Sequence, residues 1–148
     1  MRYLGVEPDT EGATRNSLAK CLAAQSEEPR TCFDLAIIEA ETGKLVGGSD
    51  LCLSWSERRE WTLGYILRRD RWGRGYATEA AREMLRFGFE RMGAHRIIAN
   101  CATANVASVR VLEKLGMTRE GLRRQQVREG DGWRDTYDYA ILEGDPRE

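Results

Sequence analysis

The sequence predicts an α+β fold built on one mixed sheet. Apolar and amphipathic segments follow the order strand meander, long helix, strand, short helix and terminal hairpin. Strand and helix do not alternate from the start of the chain, as they do in a doubly wound nucleotide-binding fold. The 148 residues contain no repeat and no linker. We therefore expect one domain over residues 1–148.

The first half of the chain is predicted to contain one helix and three strands. Thr10 can cap a helix that runs to about Gln25. Residues 32–55 have the pattern of two strands joined by a turn at 41–44, and residues 61–68 have that of a third. Four residues of the helix share one face, which we expect to be buried: Thr14, Leu18, Cys21 and Leu22.

The second half is predicted to alternate helices and strands before a closing hairpin. Residues 77–92 place small and apolar side chains on one helical face, and residues 95–102 form an apolar strand. Asn105 can cap a short helix that closes at Gly116. Two further strands surround the turn at 130–132.

Charge and hydropathy exclude several classes of protein. The chain has 23 basic and 24 acidic residues and a formal charge of -1, so we do not expect a general nucleic-acid binder. It has no apolar run near the roughly 20 residues that cross a bilayer and no signal-peptide core, so no membrane partner is expected. A cytoplasmic location is the expectation.

The cysteines do not form a metal-binding pattern. Four cysteines are scattered without a CxxC pair, and the chain has one histidine, so no metal site is expected. Three of them fall on predicted strands and are expected to be small core side chains in a reducing compartment: Cys32, Cys52 and Cys101.

The stretch "DRWGRGYATEAA" (70–81) joins a predicted strand to the long helix. Backbone N–H groups at a helix start have no helical partner, so they attract anions. Gly73 and Gly75 let a bulky ligand approach the main chain, and Arg74 adds positive charge, which suits a phosphate or diphosphate. The stretch lacks a Walker A pattern, and Thr78 breaks the dinucleotide pattern G-x-G-x-x-G.

Three blocks together resemble one family. "WGRGYATEA" (72–80) is similar to the acetyl-CoA loop of the GNAT acetyltransferases, Q/R-x-x-G-x-G/A, with Trp72, Gly75 and Ala77 at the three fixed places. Tryptophan departs from the general pattern at the first place, but it is typical of a subgroup that resembles ribosomal-protein-alanine N-acetyltransferases.

The other two blocks are similar to the same subgroup. "NVASVRVLEKLGMTREG" (105–121) resembles its N-x-x-S-x-x-V-L-E-K-L-G-F-x-x-E-G, with methionine for phenylalanine at Met117. "GDGWRDTYDYAIL" (130–142) resembles its closing hairpin. The three blocks in register extend the resemblance from about residue 30 to residue 142.

The resemblance implies a mostly antiparallel sheet that is splayed at its centre and flanked by helices, with acetyl-CoA as cosubstrate in the opening. Backbone amides from Arg74 to Thr78 would hold the diphosphate, and the main chain of Leu67 would contact the pantetheine arm. The cofactor-binding residues implied are Leu67, Trp72, Gly73, Arg74, Gly75, Tyr76, Ala77, Thr78, Asn105 and Ser108.

The reaction implied is direct attack of a neutral primary amine on a thioester, which needs a base for the amine and an acid for the leaving thiolate. Many GNAT members place a tyrosine acid where this chain has Leu112, so the subgroup's serine, Ser108, becomes the candidate acid. The subgroup's glutamate falls near Val127, which cannot accept a proton. Glu60 is the candidate base, with Glu129 as another.

The acceptor stays open between a protein N-terminal amine and a small-molecule amine. A basic run would favour an acidic acceptor, although a solvated strand edge explains it equally well: Arg119, Arg123, Arg124 and Arg128. The alternative function is an inactive acyl-CoA-binding or sensor module, because both the tyrosine and the subgroup's glutamate are missing.

Members of the family usually have a strand and a helix before the segment that corresponds to residues 2–10 here. This chain begins almost at that segment. We therefore expect an exposed sheet edge that a homodimer could cover, unless the sequence is a fragment.

Overall fold

A computed structural model describes residues 10–146. The opening segment at 1–9, and with it the expectation of a missing first strand, lies outside the described residues. Thr10 caps the first helix, accepting a hydrogen bond from the amide of Ala13. The elements that follow are α1 Glu11–Ala24, β1 Cys32–Ile38, β2 Leu45–Trp55, β3 Glu60–Leu67, a 3-10 turn Arg69–Arg71, α2 Tyr76–Glu90, β4 Arg96–Ala102, α3 Val106–Lys114, β5 Thr118–Glu129 and β6 Gly132–Leu142.

The six strands within residues 10–146 form one mixed sheet in the order β1-β2-β3-β4-β6-β5. Only β3 and β4 run parallel; every other neighbouring pair is antiparallel. The predicted α+β architecture and the order of its elements are confirmed. No helix within residues 10–146 combines the length and apolarity needed to cross a bilayer.

The centre of the sheet opens between its two parallel strands. β3 and β4 pair only over residues 60–62 and 96–98. Beyond these pairs the two strands separate, leaving residues 63–67 on one side and 99–102 on the other. This opening, called the cleft below, is the splay that the resemblance implied.

The core lies between the sheet and the helices α2 and α3. Its buried members come from every central strand and both helices, and they include Leu51, Trp61, Leu63, Met84, Leu85, Ile97, Leu112 and Tyr139. Gly88 lets α2 approach the sheet closely, since a Cβ there would lie 2.7 Å from Ile97 Cδ1 and 3.0 Å from Leu51 Cδ2. Helix and sheet are therefore held together by direct apolar contact.

The predicted buried face of α1 is wrong. No residue of this helix is buried; Leu18 and Leu22 are 58% and 63% exposed, Thr14 is exposed and Cys21 is half-buried. Most of the other apolar groups in the helix are alanines at scattered positions, so they add little area to a stripe formed by the two leucines. Spacing alone could not distinguish this surface helix from a packed one.

The expectation for two of the cysteines is also wrong. Cys32 on β1 and Cys52 on β2 are register partners with Cα atoms 4.0 Å apart, and they form a disulfide. The Leu53 amide donates to the Thr31 carbonyl beside them, so the two cysteines occupy a non-hydrogen-bonded position, where facing side chains are closest. Cys101 is a buried free thiol, as expected.

We predict that Gly88→Val lowers the free energy of unfolding by about 1–3 kcal/mol, the usual cost of overpacking a core. The added methyl groups would have to displace Ile97 and Leu51. Gly12→Val is the matched control in α1, because a Cβ at Gly12 would meet no atom within 4 Å. Urea denaturation of both variants checks this, and equal stabilities would contradict the close contact.

Candidate functional site

The glycine loop, residues 72–75, leads from the 3-10 turn that follows β3 into α2. Gly73 and Gly75 have φ angles of 74° and 87°, in the left-handed region that favours glycine. Gly75 occupies the N-cap position without a side-chain cap. The first helical hydrogen bond runs from Glu79 N to Gly75 O at 3.0 Å. The amides of residues 76–78 therefore lie before the first intrahelical bond.

The space in front of these amides is open. A Cβ added at Gly73 or Gly75 would meet no atom within 4 Å, and Arg74 between them is exposed. A ligand can therefore reach the main chain, and the helix start and the guanidinium both favour negative charge there. A diphosphate has the charge and the acceptor oxygens for such a cradle.

The loop closes back onto the strand that precedes it. Trp72 Nε1 donates a hydrogen bond to the Leu67 carbonyl at 3.0 Å. The Arg68 amide donates to Val46 O on β2, and successive strand amides point to opposite sides. The Leu67 N–H therefore points toward the cleft, where the predicted main-chain contact with a ligand would need it.

A buried carboxylate forms contacts with residues on both sides of the glycine loop. Glu39, at the end of β1 and only 6% exposed, accepts a hydrogen bond from Tyr76 Oη at 2.7 Å and another from Thr42 Oγ1. Arg71 Nη2 lies 3.6 Å from the same carboxylate. The Thr42 and Tyr76 hydrogen bonds, with Arg71, lower the pKa of Glu39. Glu39 thus links residues on both sides of the glycine loop.

Asn105 and Ser108 meet at the start of α3. Asn105 Oδ1 accepts a hydrogen bond from Ser108 N at 3.1 Å, which confirms the predicted cap. Ser108 Oγ lies 2.7 Å from Tyr65 Oη, which also lies 3.3 Å from the Ser108 carbonyl oxygen. Burial raises the pKa of Tyr65 to about 12, although its bond to Ser108 acts in the opposite direction.

Leu112, which stands where many family members have a tyrosine, is buried in the core at 1% exposure. The phenol nearest the candidate acid therefore comes from β3 and was not predicted. Ser108 is also a hydrogen-bond partner of Cys101, whose thiol pKa is raised chiefly by burial.

The structure separates Glu60 from these groups. Glu60 begins β3 opposite Arg96 in the paired part of the sheet, and Arg96 Nε lies 3.1 Å from its carboxylate. Ser108 and the glycine loop lie beyond the other end of the paired segment. Glu60 lines a charged surface depression together with Arg58, His95 and Glu143. Its role as a base stays a prediction, while its ion pair gives it a structural role.

The other charged residues considered from sequence are mostly paired. Glu129 lies 3.0 Å from Arg134 Nη1. In the basic run, Arg119 pairs with Glu113 at 3.2 Å and Arg123 with Asp138 at 2.5 Å. No group of three or more possible metal ligands occurs in the described part of the chain.

A carboxylate that the sequence did not single out lies over the central part of β3. Asp50 on β2 is the register partner of Gly64 on β3 and of Asp34 on β1. A Cβ at Gly64 would overlap the Asp50 carboxylate, so this group lies over β3 where that strand has separated from β4. Burial, and then the charge of Asp34, raise the pKa of Asp50.

We predict that Glu39→Gln destabilises the protein at pH 7. The lowered pKa means that the folded state favours the ionised carboxyl, so its contribution is present above the unfolded value of 4.5 and is lost as the pH falls through the folded value. The thermal unfolding midpoints of the variant and the wild type should therefore converge as the pH falls below about 4.5. Glu41→Gln, in the same turn but exposed, is the control; a constant difference across this pH range would contradict the assignment.

Comparison with known proteins agrees with this geometry. The family model "Acetyltransferase (GNAT) domain" matches residues 1–118. Over 81 residues the chain is 43% identical to the N-acetyltransferase YnaD of Bacillus subtilis, and the match covers 55% of this chain and 48% of YnaD. The matched part thus spans about half the length of that relative.

Solved structures match nearly the whole chain. A GNAT-family acetyltransferase from Bacillus anthracis has a TM-score of 0.82 and 35% identity, over 97% of this chain and 81% of the other. RimJ of Mycobacterium smegmatis, solved in complex with CoA-disulfide, has a TM-score of 0.77 and 27% identity, over 92% of this chain and 68% of RimJ. The resemblance seen in the three sequence blocks is confirmed, and the chain belongs to the GNAT acetyltransferase family.

Proposed function

We propose that this protein transfers an acetyl group from acetyl-CoA to a primary amine by direct attack. The observation that carries the proposal is the cradle of open amides at the start of α2, placed beside a cleft in which Ser108 meets Tyr65. Membership of the GNAT family supports the reaction class.

The residues around the cradle suit acetyl-CoA. The amides of residues 74–78 would bind the diphosphate, Leu67 N–H would bind the pantetheine arm, and Asn105 would contact that arm while it caps α3. Trp72 would shape the loop through its bond to Leu67. The cosubstrate supplies an activated thioester carbonyl. The complex of RimJ with CoA-disulfide supports this cofactor class.

The acceptor must lose a proton to become a nucleophile. We propose Asp50 as the proton acceptor in preference to Glu60. Its carboxylate lies over Gly64, in the part of β3 that has separated from β4, and its raised pKa makes it a stronger base than an ordinary aspartate. The carboxylate of Glu60 is already engaged by Arg96, whose Nε lies 3.1 Å away. Ser108 is the proposed donor to the departing sulfur.

A second candidate is an acyl-CoA-binding module without turnover, favoured by Leu112 and Val127 at the two places where relatives have catalytic side chains. Calorimetric titration with acetyl-CoA, followed by thiol release against amines and N-terminal peptides, separates the two. Amine-dependent release establishes the transferase. Binding without release across the panel supports the module, and absence of binding contradicts both.

The finer assignments are proposals on the same basis. The acceptor is a protein N-terminal amine or a small-molecule amine, and the panel above chooses between them. A homodimer that covers a sheet edge and a cytoplasmic location stay predictions. The Cys32–Cys52 disulfide counts against a strongly reducing compartment, because such bonds are rare there.

We predict that Gly75→Val weakens acetyl-CoA binding by about tenfold or more, equivalent to one or two lost hydrogen bonds. The side chain would project into the cradle and strain the positive φ. Gly130→Val is the matched control, since Gly130 has a φ of 58° and equally open surroundings in the β5–β6 turn. Calorimetry measures the acetyl-CoA affinity of both variants, and equal affinities would show that the loop is not part of the binding site.

We predict that Asp50→Asn lowers kcat/KM for the amine at least about tenfold while stabilising the fold at pH 7. A raised carboxyl pKa means that the folded state binds the proton more tightly, so ionisation costs stability above the folded value. The gain should shrink as the pH falls toward the unfolded value of 3.8. Steady-state kinetics and thermal unfolding test this, with Asp131→Asn as the exposed control. A variant that is fully active would restore Glu60 as the leading base.

A further inference from the structure

A pair of hydroxyl groups spans the cleft at the start of α3. Tyr65 belongs to the part of β3 that has separated from β4, whereas Ser108 lies in the helix that follows β4. Their oxygens are 2.7 Å apart and partly buried. This contact therefore joins the two sides of the opening at the residue proposed as the acid.

Two oxygen atoms can accept the phenol hydrogen of Tyr65: Ser108 Oγ at 2.7 Å and the Ser108 carbonyl oxygen at 3.3 Å. Either hydroxyl can donate in the shorter contact, and when the phenol is the donor Ser108 Oγ is its better-placed acceptor. The phenol keeps that hydrogen throughout the neutral range, because burial raises its pKa to about 12. With one lone pair of Ser108 Oγ occupied in this way, its own hydrogen points away from Tyr65, and it can be donated to Cys101, the other partner of Ser108, or to a bound cosubstrate.

We propose that Tyr65 is a positioning residue for the transfer step: it donates a hydrogen bond to Ser108 Oγ and so directs the Ser108 hydrogen toward the departing sulfur. This inference rests on the proposed acetyltransferase function. The phenol comes from β3, whereas many family members have a tyrosine at the place of Leu112. Leu112 is buried and its side chain cannot donate a hydrogen bond.

The step balances without a further reactant. The amine nitrogen forms a bond to the acetyl carbon, the carbon–sulfur bond breaks, and its electron pair stays on sulfur. Ser108 O–H donates a hydrogen bond to the resulting thiolate, which then takes a proton from water. The proton released by the amine passes to the base and then to solvent. Tyr65 stays protonated throughout, so it acts by orientation and polarisation of Ser108.

The test is a double-mutant cycle with Tyr65→Phe, Ser108→Ala and the two combined, measured as kcat and as KM for acetyl-CoA. Each single change is expected to lower kcat about tenfold, the effect of one hydrogen bond, with KM nearly unchanged. The double variant should be no slower than Ser108→Ala, because Tyr65 has nothing to act on once the serine hydroxyl is gone.

Tyr139→Phe is the matched control. Tyr139 is buried in the same core and its hydroxyl accepts a hydrogen bond from Arg119 at 2.9 Å, so the change also removes one hydroxyl contact. Its kcat should equal that of wild type. Thermal unfolding of all variants sets an assay temperature at which each is folded.

The outcomes separate this inference from the function on which it rests. Wild-type turnover together with full kcat in Tyr65→Phe would overturn the role of Tyr65 alone. Losses that multiply in the double variant would also overturn it, since they indicate two independent effects. Failure of wild type to release thiol with any amine, despite binding acetyl-CoA, would overturn the proposed function first. Reduced kcat in Tyr139→Phe equal to that of Tyr65→Phe would assign the effect to general packing.

Discussion

β3 and β4 share only three residue pairs before they separate, and the polar groups of both strands beyond that point need other partners. The Leu67 amide faces the opening in this way, and the Tyr65 phenol on β3 contacts Ser108 at the start of α3 across it. Because β3 and β4 run parallel, the helices α2 and α3 both follow the carboxyl ends of these strands, with a glycine cradle at the start of one and a hydroxyl pair at the start of the other.

Keeping amides open toward solvent has an energetic consequence for the surrounding chain. Positive φ angles and an uncapped helix start contribute nothing to stability by themselves. The Glu39 carboxylate offsets this by joining Thr42, Tyr76 and Arg71, so that the residues before and after the glycines are fixed while the glycines themselves remain accessible. An ionised group buried among donors and a nearby cation is a favourable way to do this, because its charge is balanced where it lies.

Local patterns in the sequence were sufficient for the order of elements, the glycine cradle and the Asn105 cap, since each depends on residues a few positions apart. Contacts between segments that are distant in the sequence could not be predicted from such patterns. Glu39 with Tyr76, Asp50 with Gly64 and Tyr65 with Ser108 each require knowledge of sheet register, which a single sequence does not encode visibly. The disulfide was missed for the same reason, because Cys32 and Cys52 become neighbours only once β1 and β2 are aligned. Glu60 was chosen by nearness along the chain to a family position, and the strand direction carries it to the paired end of the sheet.

The contact between Asp50 and Gly64 couples the two positions. Any side chain at position 64 would occupy the volume of the carboxylate on the neighbouring strand. A side chain at 64 would require the Asp50 carboxylate to rotate away from β3 or to be replaced by a smaller group. If Asp50 is the base, as proposed, relatives with a side chain at 64 would have to remove the amine proton in another way.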